Sequence, residues 1–284
     1  MENRIQEEFT GRKIQEFTMI KGAVLGSPIT HSLSPRLHNA IFDFLGIEGS
    51  YEAIEVVSGE LSTFFTTHGI DLDYLSLTMP LKEEALTLNV SVDEATKRIQ
   101  SANTLVKREG SWTLSSTDGS GFLQALSNKG LQKFSSVLIL GAGGTARAVA
   151  GALDSVSASI TVLGRSSTRE DALAQAINKA DFSYRRWQQN IDFEEFDLVV
   201  NTTPAGAADL LAESVPQKLT VPLFDVIYKP WPTVLAARWQ DSGGVVINGL
   251  ELLLYQGIDQ IEKVVGAIPN REDLAAHLRQ VLNL

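Results

Sequence analysis

The sequence has no cysteine among its 284 residues, which excludes disulfides, thiol nucleophiles and thiolate metal sites and suits a reducing cytoplasm. Histidine is scarce. The four present, His31, His38, His68 and His277, show no pair at the helical spacing of a zinc site, so no metal is expected. A basic face is missing too: the formal net charge is −10, which works against nucleic acid and anionic membranes as partners. No apolar run approaches the roughly 20 residues that span a bilayer. The opening stretch "MENRIQEEFTGRKIQEF" mixes acidic and basic residues around no apolar centre, unlike a secretory signal. Residues 1–18 therefore read as a polar extension, with Met19 as an alternative start.

What is present is the composition of a globular protein, 44% hydrophobic and 20% charged, in a chain long enough for two domains. From Ile20 onward strand-like and helix-like patterns take turns: "KGAVLG" then "SPRLHNAIFDFLG", "YEAIEV" then "SGELSTFFTTHG", "YLSLTM" then "PLKEEALTL". Such alternation predicts an α/β fold of parallel strands with crossover helices on both faces. "NTLVKRE" and "SWTLSS" read as a hairpin turning at Glu109-Gly110, and "GSGFLQALSNKG" as a helix closed by Gly130. A second αβ series opens at Ser136, with strands near Phe182, Leu198 and Leu223. The chain finishes with two helical patterns, "GLELLLYQGIDQIEKVVG" and "NREDLAAHLRQVLNL", that need not belong to that second unit.

"VLILGAGGTARAVAGAL" runs from a buried-looking strand into a helix and carries G-x-G-x-x-A at Gly141, Gly143 and Ala146. A glycine motif alone is weak evidence; its placement between strand and helix makes it a dinucleotide signal. Gly141 permits the tight turn, Gly143 lets the backbone approach a pyrophosphate, and Ala146 allows close packing of helix on strand. With Ala142, Gly144 and Thr145 they form a candidate cofactor loop at a helix N-terminus rich in N–H donors. At the end of the next strand, "GRSSTR", an NAD site usually has an acid for the ribose 2′-OH. Arg165, Ser166 and Arg169 instead suit a 2′-phosphate, so the pattern favours NADP, although arginines on such a loop are also ordinary surface residues.

In "YLSLTMPLKEEA" Leu75, Leu77 and Met79 alternate like strand residues, and Pro80 fits the first position of a helix. Lys82 then lies in a first helical turn, where the peptide dipoles are already positive. A lone lysine there swings into solvent, with Glu83 and Glu84 offsetting the mismatch. The alternative is an ammonium from which a proton is readily exchanged. Its companions decide. "GSPITHSLSPRLHNA" sets Ser32 and Ser34 ahead of a helix, where hydroxyls cap backbone N–H groups or meet an anion. Asn103 and Asp118 stand at the edges of β segments, where turns are the default.

Together and in this order, "GSPITHSLSPRLHN", "LTMPLK", "SANTLV", "TDGSGF", "GAGGTARA", "NTTPAG", "DVIYKPWPT" and "GLELLLYQG" resemble the shikimate dehydrogenase family over nearly everything after Met19, in wording close to its actinobacterial members. The resemblance implies reduction of 3-dehydroshikimate to shikimate with NADPH, on the route to aromatic amino acids. By position in the shared motifs it implies Lys82 and Asp118 as the catalytic pair. Ser32 and Ser34, with Tyr228 nearby, would hold the substrate carboxylate, and Thr78, Asn103 and Gln256 its ring hydroxyls. Asn201, Thr202 and Thr203, with Gly249, would border the nicotinamide half of NADP. It further implies a substrate domain over 19–118, a Rossmann-like cofactor domain over 119–249, and helices over 250–284 that pack back on the first. The active site would be the cleft between them, in a cytoplasmic monomer or homodimer whose partner is a small-molecule substrate.

The chain departs from the family's common pattern at Ser76 and Ser116, both usually asparagine, and at Leu252, often methionine. None of these removes a proton carrier. One rival is an NAD-dependent quinate/shikimate dehydrogenase, against which the arginines of "GRSSTR" speak. Another is a non-catalytic metabolite-binding relative, against which the retention of both Lys82 and Asp118 speaks. His31 and His38 read as hydrogen-bonded structural residues. Trp112, Trp187, Trp231 and Trp239 read as packing anchors, and Glu94, Glu194 and Glu195 as solvated helix faces.

Overall fold

The computed structural model of the chain describes residues 19–187 and 190–284, so the polar extension expected over 1–18 lies outside the described residues. The first lobe is built on β1 (Ile20–Gly26), β2 (Gly49–Glu55), β3 (Tyr74–Leu77), β4 (Ser91–Val92), β5 (Thr104–Arg108) and β6 (Ser111–Ser115), in the order β2-β1-β3-β5-β6-β4. β1 runs parallel to β2 and β3, and β4 to β6, while β5 is antiparallel to both β3 and β6. The hairpin at Glu109 and Gly110, both at positive φ, thus makes the sheet mixed. Period-two alternation sends successive side chains to opposite faces. Ile20 and Val24 of β1 enter one core, and Ala23 and Leu25 the other.

Connections in this lobe are α1 (Ser34–Leu45), α2 (Leu61–Thr67), α3 (Leu81–Glu84) and α4 (Glu94–Ile99). α3 is shorter than the sequence suggests: four residues, continued by a 3-10 turn over Ala85–Thr87, with Pro80 just before the first helical residue and not in it. Asp93 caps α4 by accepting from Thr96 N at 2.7 Å.

α5 (Asp118–Ser127) leads to the second lobe, made of β7 (Phe134–Leu140), α6 (Gly144–Leu153), β8 (Ser157–Gly164), α7 (Glu170–Ala176), β9 (Asp181–Arg186), β10 (Leu198–Asn201), β11 (Leu223–Asp225), α8 (Val234–Asp241) and β12 (Val246–Asn248). Its strands are all parallel, in the order β12-β11-β10-β7-β8-β9. β7 shows why: the unbroken apolar run Val137 to Leu140 is buried on both faces, as a central parallel strand requires. α5 stops at Ser127, with Gly130 beyond the Asn128 cap, so the helix closes earlier than the glycine implies.

α9 (Gly249–Val265) and α10 (Arg271–Leu282) turn back. α9 packs on α5 and α1, and α10 on α1. A Cβ on Gly121 would stand 2.6 Å from Gln256 N, so only glycine lets α5 and α9 approach this closely. Phe122 of α5 meets Phe224 of β11 with ring centroids 4.8 Å apart. One buried cluster therefore runs from β1 and α1 through α5 and α9 into the second sheet, and burial of Phe122 alone contributes roughly 2–3 kcal/mol.

Candidate active site

Strand direction gathers the candidate residues at one edge of the first sheet. β1 and β3 run parallel and end there, feeding the loops that carry Ser32 and Thr78 and the helix starts that carry Ser34 and Lys82. β5 is antiparallel, so Asn103, just before its start, lies at the same edge, and β6 reverses again to deliver Thr117 and Asp118 there. Thr78 N donates to Leu25 O at 2.9 Å and Ser27 N to Met79 O at 3.0 Å, pinning the two loops together. This is the switch point of β2-β1-β3, where open α/β sheets leave a crevice.

Lys82 Nζ is ion-paired with Asp118 Oδ2; the side chains are 17% and 5% exposed. Asn103 shares its amide N–H groups among Asp118 Oδ1 at 2.8 Å, Thr117 Oγ1 at 3.0 Å and Gln256 Oε1 at 3.1 Å. Its carbonyl Oδ1 accepts from Thr117 N at 2.8 Å and Thr104 Oγ1 at 2.7 Å. Such full engagement fixes the amide's orientation, and through it the buried carboxylate. Gln256 is tied in turn to Leu253 O at 2.9 Å.

Behind this layer lies one that the sequence reading missed. Gln260 Nε2 donates to Thr104 Oγ1 at 3.0 Å and to Asn103 O at 3.1 Å. Its Oε1 accepts from Ser76 Oγ at 2.8 Å, which accepts from Tyr51 OH at 2.5 Å. The available signal was spacing: Gln260 is four residues after Gln256, on the same helical face. Ser76, a departure from the family pattern, is a link in this chain. Burial pushes the Tyr51 phenol up against the smaller effect of Ser76. His38 stacks on Tyr51 at 4.0 Å and meets Tyr74 OH at 2.9 Å; burial pushes its imidazole down to about 3, opposed by Gln260.

Ser34 is the first residue of α1 and does not cap it; Ser32 Oγ accepts from Ser34 N at 3.3 Å. Tyr228, from the second lobe, hydrogen-bonds the backbone of Leu33 between them, and burial pushes its phenol up. His31 meets Lys229 Nζ at 3.5 Å.

Facing the Lys82 edge is a cleft of about 760 Å³ between the lobes. Thr78, Lys82 and Glu83 line one wall, and the loop from Gly141 to Thr145 lines the other with Arg165, Ser166, Arg169, Thr202 and Thr203. The loop follows β7 and the two threonines follow β10, at the strand-order reversal of the second sheet. Gly141 has φ +104°, and a Cβ there would stand 2.6 Å from Thr202 Oγ1. A Cβ on Gly143 would meet nothing within 4 Å, so its backbone is open to a phosphate at the start of α6, and the donors present fit a dinucleotide. Ala146 is buried and serves packing.

Not every cofactor candidate reaches the cleft. Asn201 is buried, accepting from Thr203 N at 3.2 Å and Thr203 Oγ1 at 2.7 Å and donating to Asp225 Oδ1 at 3.1 Å, so it shapes the threonine loop from behind. Gly249 is pressed against Val226, whose O would be 2.0 Å from an added Cβ. Of the catalytic candidates Lys82 lines the cleft and Asp118 does not; of the substrate candidates Thr78 lines it, whereas Ser32, Ser34, Asn103, Tyr228 and Gln256 do not. Trp187, read as a packing anchor, both packs on the second core and lines the cleft.

The glutamates after Lys82 do more than offset its charge. Glu84 accepts from Gly59 N at 2.8 Å and Leu61 N at 3.1 Å. Glu83 Oε1 receives two arginines of the second lobe, Arg169 Nη1 at 2.7 Å and Arg147 Nη2 at 3.0 Å. Desolvation works to raise the Glu83 carboxyl, but Arg147 and Arg169 outweigh it and hold it below the usual carboxylate range. Arg147, 3% exposed, also donates to Ile99 O at 2.8 Å and Gln100 O at 2.7 Å, clasping the end of α4. Among the described residues no group of three or more acidic or histidine side chains could hold a metal, and no helix is long and apolar enough to cross a membrane.

Known proteins share this architecture. The family model described as the shikimate dehydrogenase substrate binding domain matches residues 24–105, and that described as shikimate / quinate 5-dehydrogenase matches residues 125–223. A Methanosarcina mazei protein named shikimate dehydrogenase (NADP(+)) is 36% identical over 264 residues, spanning 88% of this chain and 94% of its own. The crystal structure of Mycobacterium tuberculosis shikimate dehydrogenase is 34% identical, with a TM-score of 0.82 over 92% of this chain and 99% of that one. A shikimate 5-dehydrogenase from Thermus thermophilus, solved in complex with NADP(H) and shikimate, is 33% identical, with a TM-score of 0.80 over 93% and 100%.

Proposed function

The chain belongs to the shikimate dehydrogenase family, and from that premise we propose that it interconverts 3-dehydroshikimate and shikimate with NADP in the cytoplasm, Lys82 and Asp118 handling the proton. The observation that carries this reading is that Lys82, on the wall of a cleft whose opposite wall is the nucleotide loop, is ion-paired with the buried Asp118. We assign the substrate domain to 19–118, the cofactor domain to 119–249 and the returning helices to 250–284.

When bound, NADPH supplies the hydride for the ketone carbon. The ketone oxygen must gain a proton in nearly the same step, and the Lys82 ammonium donates it from Nζ; in the oxidative direction the amine takes it from the hydroxyl. Asp118 aims the ammonium, Asn103 holds Asp118 in place, and Thr117 holds Asn103. Ser32, Ser34 and Tyr228 receive the carboxylate, while Thr78, Asn103 and Gln256 offer neutral donors and acceptors to the ring hydroxyls. Arg165, Ser166 and Arg169 hold the 2′-phosphate. Approach of the lobes excludes water. All these groups come from one chain, so a monomer or a homodimer satisfies the reading, and sedimentation velocity distinguishes the two. The test is absorbance at the NADPH band with shikimate and NADP, run beside quinate and NAD. Turnover of the first pair is expected to dominate, and a large preference for the second defeats the proposal.

A further inference from the structure

We propose that Glu83 is a specificity-determining residue whose carboxylate competes with the 2′-phosphate of NADP for Arg169. The inference rests on the NADP reading above and extends it to a residue on the opposite domain.

Glu83 and Arg169 line the same cleft from opposite walls and are joined across it by a 2.7 Å hydrogen bond. The guanidinium also lies 3.5 Å from Ala142 O in the nucleotide loop, so it reaches over the ground that a dinucleotide phosphate needs. Its N–H fork binds a carboxylate or a phosphate through the same planar geometry, and donors spent on Glu83 are withheld from a phosphate. The two arginines on Glu83 differ in freedom. Arg147 is 3% exposed and tied to two main-chain carbonyls, whereas Arg169 is 47% exposed and able to turn away. Arg147 thus keeps Glu83 compensated when Arg169 leaves it. Loss of the Arg169 contact is an energetic charge on NADP that NAD, without the 2′-phosphate, does not bear. Glu83 also carries negative charge towards the cleft, which opposes the phosphate directly.

The test is calorimetric titration of the full-length protein with 2′,5′-ADP and with 5′-AMP, for the wild type, Glu83→Gln, Arg169→Gln and the double variant. Glu83→Gln is expected to bind 2′,5′-ADP roughly twofold to fivefold tighter, a modest factor because the pair is half exposed and screened. Its affinity for 5′-AMP should stay constant, which also reports an intact nucleotide loop. The gain should vanish in the Arg169→Gln background and shrink as salt is raised. If Glu83→Gln does not fold, Glu83→Asp, whose shorter carboxylate keeps its charge but draws back from both arginines that meet Oε1, is expected to bind 2′,5′-ADP tighter by a smaller factor. Unchanged or weaker 2′,5′-ADP binding, or a gain that persists without Arg169, overturns the proposal. A wild type that binds 2′,5′-ADP no better than 5′-AMP defeats the underlying NADP reading, and the inference with it.

Discussion

Asn103 Nδ2 stands 2.8 Å from Asp118 Oδ1, on the carboxylate oxygen that Lys82 does not hold. The carboxylate is thereby gripped from both sides and cannot rotate, so the direction of the Lys82 ammonium is set by an amide that is itself held at both ends. Replacing Asn103 by alanine removes one grip and leaves a buried charge short of a donor. Turnover should fall roughly tenfold to a hundredfold, the worth of a hydrogen bond to a charged group, with a stability loss of about 1–3 kcal/mol. Steady-state kinetics beside urea melts check both, and a variant that melts early yet turns over normally would deny Asn103 its positioning role.

Lys82→Ala should lower kcat by roughly 10²- to 10⁴-fold, the usual worth of a positioned acid or base, while NADP affinity measured by fluorescence changes little. Loss confined to the chemical step marks missing transition-state stabilisation. Unchanged turnover removes Lys82 from the reaction.

Gly121→Ala places a methyl 2.6 Å from Gln256 N, and backbone cannot give way as a side-chain tip can. The substitution should destabilise the protein by about 1–3 kcal/mol, typical of overpacking, and raise KM for shikimate as α9 and Gln256 are displaced. Thermal melts and KM are measured together, and a stable variant with ordinary KM contradicts the close approach of α5 and α9.

Some of this was written plainly in the chain and some was not. The αβ order is legible because β strands such as Val137 to Leu140 are unbroken apolar runs bounded by glycine. The nucleotide loop is legible because its glycines are locally required. Lys82 and Asp118 are each visible as short motifs, but their meeting depends on the antiparallel turn of β5 and β6, which no local pattern dictates. β4 and β12, of two and three residues, are too short to show a period. Gln260 looks like an interruption of an apolar stripe until its partners are in view. Arg147 looks like a surface position of α6, because nothing near it in sequence reveals the carbonyls of Ile99 and Gln100.

His38 predicts a pH signature in stability. Burial holds its imidazole down to about 3 from an ordinary 6.5, so between those values the unfolded chain binds a proton that the native chain refuses. Stability contributed by the neutral ring is full above pH 6.5 and is lost as pH falls towards 3. By pH 4.5 the loss should be roughly 2–3 kcal/mol. Comparing urea midpoints at pH 7 and 4.5 for wild type and His38→Gln checks it: the variant, with no ring to titrate, should lose less, and equal losses contradict the assignment.

Gln256 and Gln260 meet Asn103 across sequence separations of 153 and 157 residues. A polypeptide emerging from the ribosome therefore already carries its lysine, its aspartate and its nucleotide loop long before the surroundings of the central amide can form. On the roles proposed for Lys82 and Asp118, competence would arrive only when the final helices are synthesised and docked, a long-range closure that is intrinsically slow. Chains terminated prematurely before α9 would retain the reacting groups yet lack the scaffold that orients them, and would be inert in spite of an intact motif set.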